Sequence, residues 1–300
     1  MKKGIFYNSK KAQCSIYESG LMCYNALVKS NKYILDYTED TYLKHEYDFC
    51  IYNHRPVVND WITINDITCY KKEVYCIVLE VDIGNDIMPM TPRIFTKYLV
   101  IDPTIKESHN IFSFPRPIED FEIEEYKEVE IPIIGSFGFV NCGKNWIQMV
   151  NLVQEEFDHA IIKINTPISK YTPNSELITS KLHLDLNAMT KKPGIKLELS
   201  SEYMDKTNLI KWCSRNTINY FPYFRDCSGL AATIDQAISA GRPILTTDNK
   251  TFRHVLQYIK PYPKITLKEA IKHNYEGVLK MKELWSSDNF YKKFETIGNF

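Results

Sequence analysis

Residues 131–150, IPIIGSFGFVNCGKNWIQMV, bring together the residue types that hold an anion. An apolar run leads into Gly135, Ser136 and Gly138, and Gly143 then precedes Lys144 and an amphipathic stretch. Glycine has no side chain to intervene, so a ligand can approach the backbone closely there. Amides at a helix start and a lysine ammonium together make an anion site. A helix end contributes only about 0.3–1 kcal/mol at the surface, so Lys144 has to supply much of the attraction. The spacing is neither G-x-G-x-x-G nor G-x-x-x-x-G-K-[ST]. The competing reading is a tight turn after a strand.

A second stretch of interest is FRDCSGLAATIDQAISAGRP, 224–243. Ser228 is predicted to cap a helix opened by Gly229 and Leu230, whose amides, with Arg225, would join Lys144 in a pyrophosphate cradle. The alternative is a small-residue helix packed tightly on a sheet. In residues 8–18, Ser15-x-x-Glu18 has the form of a capping box. Lys10, Lys11, Ser15 and Glu18 are candidates to face a polar acceptor, against the plainer reading of a helix start. His54 in NHRP and Glu80 and Asp82 in VLEVD end apolar runs and are candidates for acceptor hydroxyls. Arg253 and His254 fit a ligand-facing or a helix-surface place equally.

These loops need a scaffold that presents them together. GIFYN, YILDYT, DFCIYNH, VYCIVLEV, KYLVIDP and NIFSFP are short and almost continuously apolar, as strands covered on both faces are. From residue 131 onward, five strand patterns alternate with four helix patterns, which indicates βαβ units and a parallel sheet. The acidic, proline-bearing segment 116–132 separates the halves. Residues 266–298 read as helical throughout.

Bulk properties exclude several classes. The chain has 300 residues, 44% hydrophobic and 25% charged, with 37 basic and 37 acidic side chains. That is a folded composition without the overall basic field of a protein that wraps nucleic acid. No run reaches the roughly 18 to 20 apolar residues of a membrane span, and the first residues do not read as a signal peptide. Eight cysteines, mostly inside apolar runs and without a C-x-x-C pair, predict reduced thiols and a cytoplasmic protein.

GSFGF…GK followed by SGL…DQAISAGRPILTT resembles the C-terminal domain of GT-B glycosyltransferases, especially the family-4-like retaining branch. CSIYESG, EEFDHAIIKIN and TFRHV also look like a group of bacterial and phage glycosyltransferase-like proteins, over most of residues 1–260. The resemblance implies an α/β fold of two Rossmann-like parallel-sheet domains facing across a cleft, with a helical tail. Their expected bounds are 1–130, 131–262 and 263–300.

It also implies a nucleotide-sugar donor held by Gly135, Ser136, Gly138, Lys144, Arg225, Ser228, Gly229, Leu230 and Gln236. Lys144, Glu80 and His54 are the candidates for the chemistry. The expected acceptor is a glycan or glycolipid, with no metal and no further cofactor. The expected location is the cytoplasm, with peripheral attachment to the inner membrane face as an option. The chain departs from the branch where a glutamate is expected: Gln236 stands there, and Asp226 is the nearest acid to the other glutamate position. Transfer to modified DNA bases and a non-catalytic nucleotide-sugar-binding module are the alternatives.

Overall fold

The computed structural model describes residues 1–10, 14–40, 46–55, 62–68, 72–81, 94–127, 129–141, 143–224 and 229–300. The chain divides into two compact units. One comprises Met1–Glu119, Ser228–Ala232 and Leu284–Phe300, the other Asp120–Cys227 and Thr233–Glu283. The break falls after Glu119 because the segment that follows packs on the second unit. There the buried Arg242 guanidinium donates to the Glu124 carbonyl at 2.6 Å and lies 5.2 Å from the Tyr126 ring centre. Of the residues after 263, those up to Glu283 fall in the second unit and Leu284–Phe300 in the first.

In the first unit, β1 (Lys2–Tyr7), β2 (Tyr33–Thr38), β3 (Phe49–Asn53), β4 (Glu73–Val78), β5 (Lys97–Val100) and β6 (Ile111–Ser113) form one sheet in the order β2-β1-β3-β4-β5-β6. Every pairing is parallel. All of β3 is buried, as its unbroken apolar run requires. Alternation splits the core into two layers. Ile5, Tyr7, Cys50, Tyr52 and Val74 fill one. Phe6, Phe49, Ile51 and Tyr75 fill the other, completed by Cys23, Ala26 and Leu27 of α1 (Ser15–Leu27) and Phe290 and Phe294 of α9 (Ser287–Gly298). Cys23, Cys50 and Cys76 are buried free thiols, as is Cys213 of the second unit.

The chain runs from β1 out to β2, then returns to place β3 on the other side of β1. Such a reversal opens a crevice at the strands' carboxyl ends. Here it is filled with amides. Asn53 Nδ2 donates to Asn8 Oδ1 at 2.7 Å and to the Ile16 carbonyl at 2.8 Å, and Asn8 Nδ2 donates to the Tyr17 carbonyl at 3.1 Å. The helix α1 comes this near because residue 20 is glycine: a Cβ there would sit 2.1 Å from Asn8 Oδ1.

The second unit holds β7 (Ile133–Phe137), β8 (Ala160–Asn165), β9 (Ile195–Ser200), β10 (Ile218–Phe221) and β11 (Ile244–Thr246), in the order β11-β10-β7-β8-β9. These are again parallel throughout. Trp146, Met149, Val150 and Val153 of α3 (Trp146–Glu156) pack on Ile134, Ile162, Ile218 and Tyr220, with Leu267 and Ala270 of α7 (Leu267–His273) in the same core. Asp205 caps α5 (Lys206–Ser214), accepting from the Asn208 amide at 2.8 Å. Gly241, at φ 59°, follows the end of α6 (Ala232–Ser239). α8 (Tyr275–Leu284) follows α7.

Asn53→Ala removes the donor that satisfies two buried acceptors, Asn8 Oδ1 and the Ile16 carbonyl. The expected loss is about 1–3 kcal/mol of stability, read in urea as a lower midpoint at unchanged slope. An unshifted midpoint would show that the amide network contributes nothing.

Candidate functional site

In the second unit the sheet order reverses between β7 and β10, which lie side by side with Ile218 opposite Ile134 and Asn219 opposite Gly135. The crevice of such a sheet lies beyond these two strand ends. The β7 loop turns through left-handed backbone at Gly138 (φ 134°), Gly143 (φ 95°) and Asn145 (φ 44°). The Gly138 amide donates to the Asn165 carbonyl at 3.0 Å, and the Gly143 carbonyl accepts from the Phe224 amide at 2.9 Å. The second bond ties the loop after β7 to the loop after β10.

Lys144 lies between these loops and is only 5% exposed. Its Nζ donates to the Tyr223 hydroxyl at 2.6 Å and sits 4.5 Å from the centre of that ring and 5.9 Å from that of Trp146. Tyr223 Oη lies in turn 2.9 Å from Thr233 Oγ1. Among the described residues no carboxylate pairs with Lys144. Its ammonium occupies the space a side chain at 138 would need: a Cβ on Gly138 would lie 2.3 Å from Nζ and 3.5 Å from Thr233 Cγ2. Glycine is therefore required at 138 both for backbone angle and for room.

Thr233 and Gln236 are three residues apart on α6 and share a face. Gln236 is half-buried, and its amide has no hydrogen bond among the described residues. The buried side of the same helix carries Asp235, whose Oδ1 is 3.4 Å from His254 Nε2, both side chains fully enclosed. His254 is thus part of the interior; the neighbouring Arg253 donates to the Lys250 carbonyl at 2.9 Å.

Lys144, Gly138 and, through Thr233, the start of α6 come together, but other expected donor residues serve different ends. Gly135 makes room for Asn216, whose Nδ2 would lie 1.9 Å from a Cβ at that position. Ser136 is buried and accepts from the Trp146 indole at 3.0 Å, which anchors α3 to β7. The helix expected to open at Ser228-Gly229 begins only at Ala232. Gly229 is instead extended, in an antiparallel bridge with Glu80 of the first unit, to which it belongs, and the half-buried Leu230 follows it. Arg225, Asp226 and Ser228 lie outside the described residues.

In the first unit, Glu80 follows β4 and its carboxylate pairs with Arg55 at 2.6 Å. His54 follows β3, buried beside Phe95 at a ring separation of 5.7 Å, with no hydrogen-bond partner for Nδ1 among the described residues. Burial holds its pKa down at about 4, so it is neutral at pH 7. Lys10 is exposed and paired with Asp40 at 2.6 Å. The capping box at Ser15 and Glu18 does not form: Cys14 takes the N-cap position without a side-chain bond, and Ser15 is already the first residue of α1. Glu18 is in the first turn of that helix. Lys11 and Asp82 lie outside the described residues. Among those described, no three His, Cys, Asp or Glu side chains gather as a metal-holding group, and no helix is long and apolar enough to cross a membrane.

Tyr223 and Thr233 escape a reading of sequence alone. Tyr223 ends the aromatic run INYFPYF and looks like core, and Thr233 looks like an ordinary helix residue. The one signal is position: both stand next to loops that the strand order makes neighbours.

The sequence matches no protein-family model and no curated protein. Solved structures resemble the whole chain. Anabaena HepE in complex with UDP is similar with a TM-score of 0.66 at 8% identity, covering 100% of both chains. An alpha-glucosyltransferase (AGT) in complex with UDP follows at 0.61 and 12%, covering 99% of this chain and 100% of that one. It is also solved with UDP and DNA containing an HMU base. The lipopolysaccharide outer core galactosyltransferase WaaB, without ligand, gives 0.61 and 10%, covering 99% of each chain. At these identities the likeness shows the fold, and the fold is GT-B.

The folded His54 pKa, about 4, lies below its ordinary 6.5. Its neutral burial therefore contributes stability that is fully present above pH 6.5 and is lost as pH falls from there to 4. Urea unfolding at pH 7, 5.5 and 4 should show the wild type losing up to about 3 kcal/mol more than His54→Gln across that window. Parallel curves for the two proteins would show that His54 is not held neutral.

Proposed function

We propose that this chain is a glycosyltransferase that takes its sugar from a nucleoside diphosphate-sugar, with the diphosphate bound at the ends of β7 and β10. The observation that carries this is the enclosed Lys144 ammonium with no carboxylate partner among the described residues. Removing an ammonium from water is unfavourable by several kcal/mol even after relaxation, and a phenol offsets only part of that. A lysine serving stability alone would keep its charge at the surface. At a topological switch point, a buried positive charge instead fits an anionic ligand.

The chemistry follows from charge. Breaking the bond at the anomeric carbon leaves negative charge on the departing diphosphate and an oxocarbenium-like sugar. A fixed ammonium beside the leaving group stabilises that charge as it develops, without reorganisation. Gln236, whose amide has no hydrogen bond among the described residues and which shares a face of α6 with Thr233, is suited to hydrogen-bond a sugar or ribose hydroxyl. A retaining transfer assisted in this way needs no strong protein nucleophile. We assign the reaction to that class, with neither metal nor further cofactor. UDP is the first nucleotide to test, since HepE and the alpha-glucosyltransferase are both solved with it.

For the acceptor, a glycan or glycolipid is favoured. A DNA acceptor would need basic side chains to meet its phosphates, and Lys10 and Arg55 are each paired with an acid, while the chain as a whole is neutral. A modified DNA base is the second reading, motivated by the alpha-glucosyltransferase solved with DNA.

Thermal melting with UDP-, GDP-, ADP- and CMP-sugars tests the donor site. A ligand at 100 times its Kd stabilises by about 2.7 kcal/mol, and Lys144→Ala should remove most of that shift. If none of the four moves the transition, the donor proposal fails. Release of nucleoside diphosphate only on addition of an acceptor separates a transferase from a binding module. Salt-sensitive binding of DNA would move the acceptor assignment to nucleic acid.

A further inference from the structure

We infer that Tyr223 is the positioning residue for the Lys144 ammonium: its neutral phenol holds the charge in place without cancelling it. This rests on the proposal that a diphosphate binds there. Lys144 Nζ is 2.6 Å from the phenol oxygen, and Tyr223 is itself 1% exposed. A buried ammonium needs an acceptor. A carboxylate in this place would satisfy it and also neutralise the field that attracts an anion. A phenol supplies the lone pair and brings no negative charge of its own. The ring adds a second hold, since Nζ lies 4.5 Å from its centre.

Lysine can only donate, so the phenol oxygen accepts from it; the same oxygen lies 2.9 Å from Thr233 Oγ1, a contact in which either hydroxyl can be the donor. Of the three N–H groups of an ammonium, one is spent on Tyr223, and the other two have no acceptor among the described residues and suit phosphate oxygens. The Tyr223 backbone is anchored as well, its carbonyl accepting from the Thr247 hydroxyl. Tyr223 thus acts through Lys144 and has no chemical role of its own.

Tyr223→Phe isolates the hydroxyl, because it keeps the ring and the shape. Calorimetric titration with UDP, and with inorganic pyrophosphate as a probe lacking base and sugar, measures the effect. The loss of a hydrogen bond to a charged group should weaken UDP binding by roughly ten- to a hundredfold. On a Lys144→Ala background the same change should have no further effect, since the two substitutions break one interaction.

A purely structural role for Tyr223 predicts equal losses on both backgrounds and would overturn the inference. So would undiminished UDP binding by Tyr223→Phe while Lys144→Ala binds weakly; in that case the diphosphate site itself stands. Failure of the wild type to bind either probe would instead remove the site, and the inference with it. A melting curve for Tyr223→Phe close to that of the wild type shows that the losses are not due to unfolding.

Discussion

A positive charge enclosed by aromatic rings and one phenol oxygen sets the terms for the second unit. It can exist only where two loops meet, and they meet because β10 lies beside β7 while the chain between them has gone out through β8 and β9 and returned. The sheet order thus decides the chemistry before any side chain is chosen. The rest of the neighbourhood keeps that charge rigid. Ser136 fixes the indole of Trp146, the indole fixes the start of α3, and Gly138 leaves the space that the ammonium fills.

The first unit solves the same topological problem differently. Its sheet also reverses beside its first strand, but the crevice between β1 and β3 is occupied by amides that hydrogen-bond to each other and to α1. Among the described residues, those strand ends carry a neutral imidazole at His54 and the Arg55–Glu80 pair. One unit thus holds at its reversal a cation with no carboxylate partner among the described residues, and the other holds a neutral ring and a matched pair. The same backbone scheme supports two chemistries because strand order fixes where side chains gather and leaves their identity free.

Much of this was legible from residue order. Near-continuous apolar runs predict buried parallel strands, and each of them forms, with bounds shifted by a residue or a few. Asp205 and Gly241 mark helix ends as their types suggest, and the small residues around Lys144 mark the loop that matters. What was not legible depends on distance between segments. Gly135 and Gly138 look alike in sequence, yet one makes way for an asparagine just before β10 and the other for an ammonium six residues on. Ser15 and Glu18 have the spacing of a capping box, but the helix starts one residue too early for it. Gly229 has a helix-opening sequence, and pairing with Glu80 draws it into an extended form instead. Tyr223 could not be told from core until the loop it faces was known.

The placement of α9 has a consequence for how the chain is made. Phe290 and Phe294 complete a core layer whose other members include Phe6, Phe49 and Tyr75. Those strands are synthesised early, and the aromatic pair that covers them follows every residue of the second unit. The leading unit, usually the first to fold during synthesis, is here the later of the two to have all of its residues.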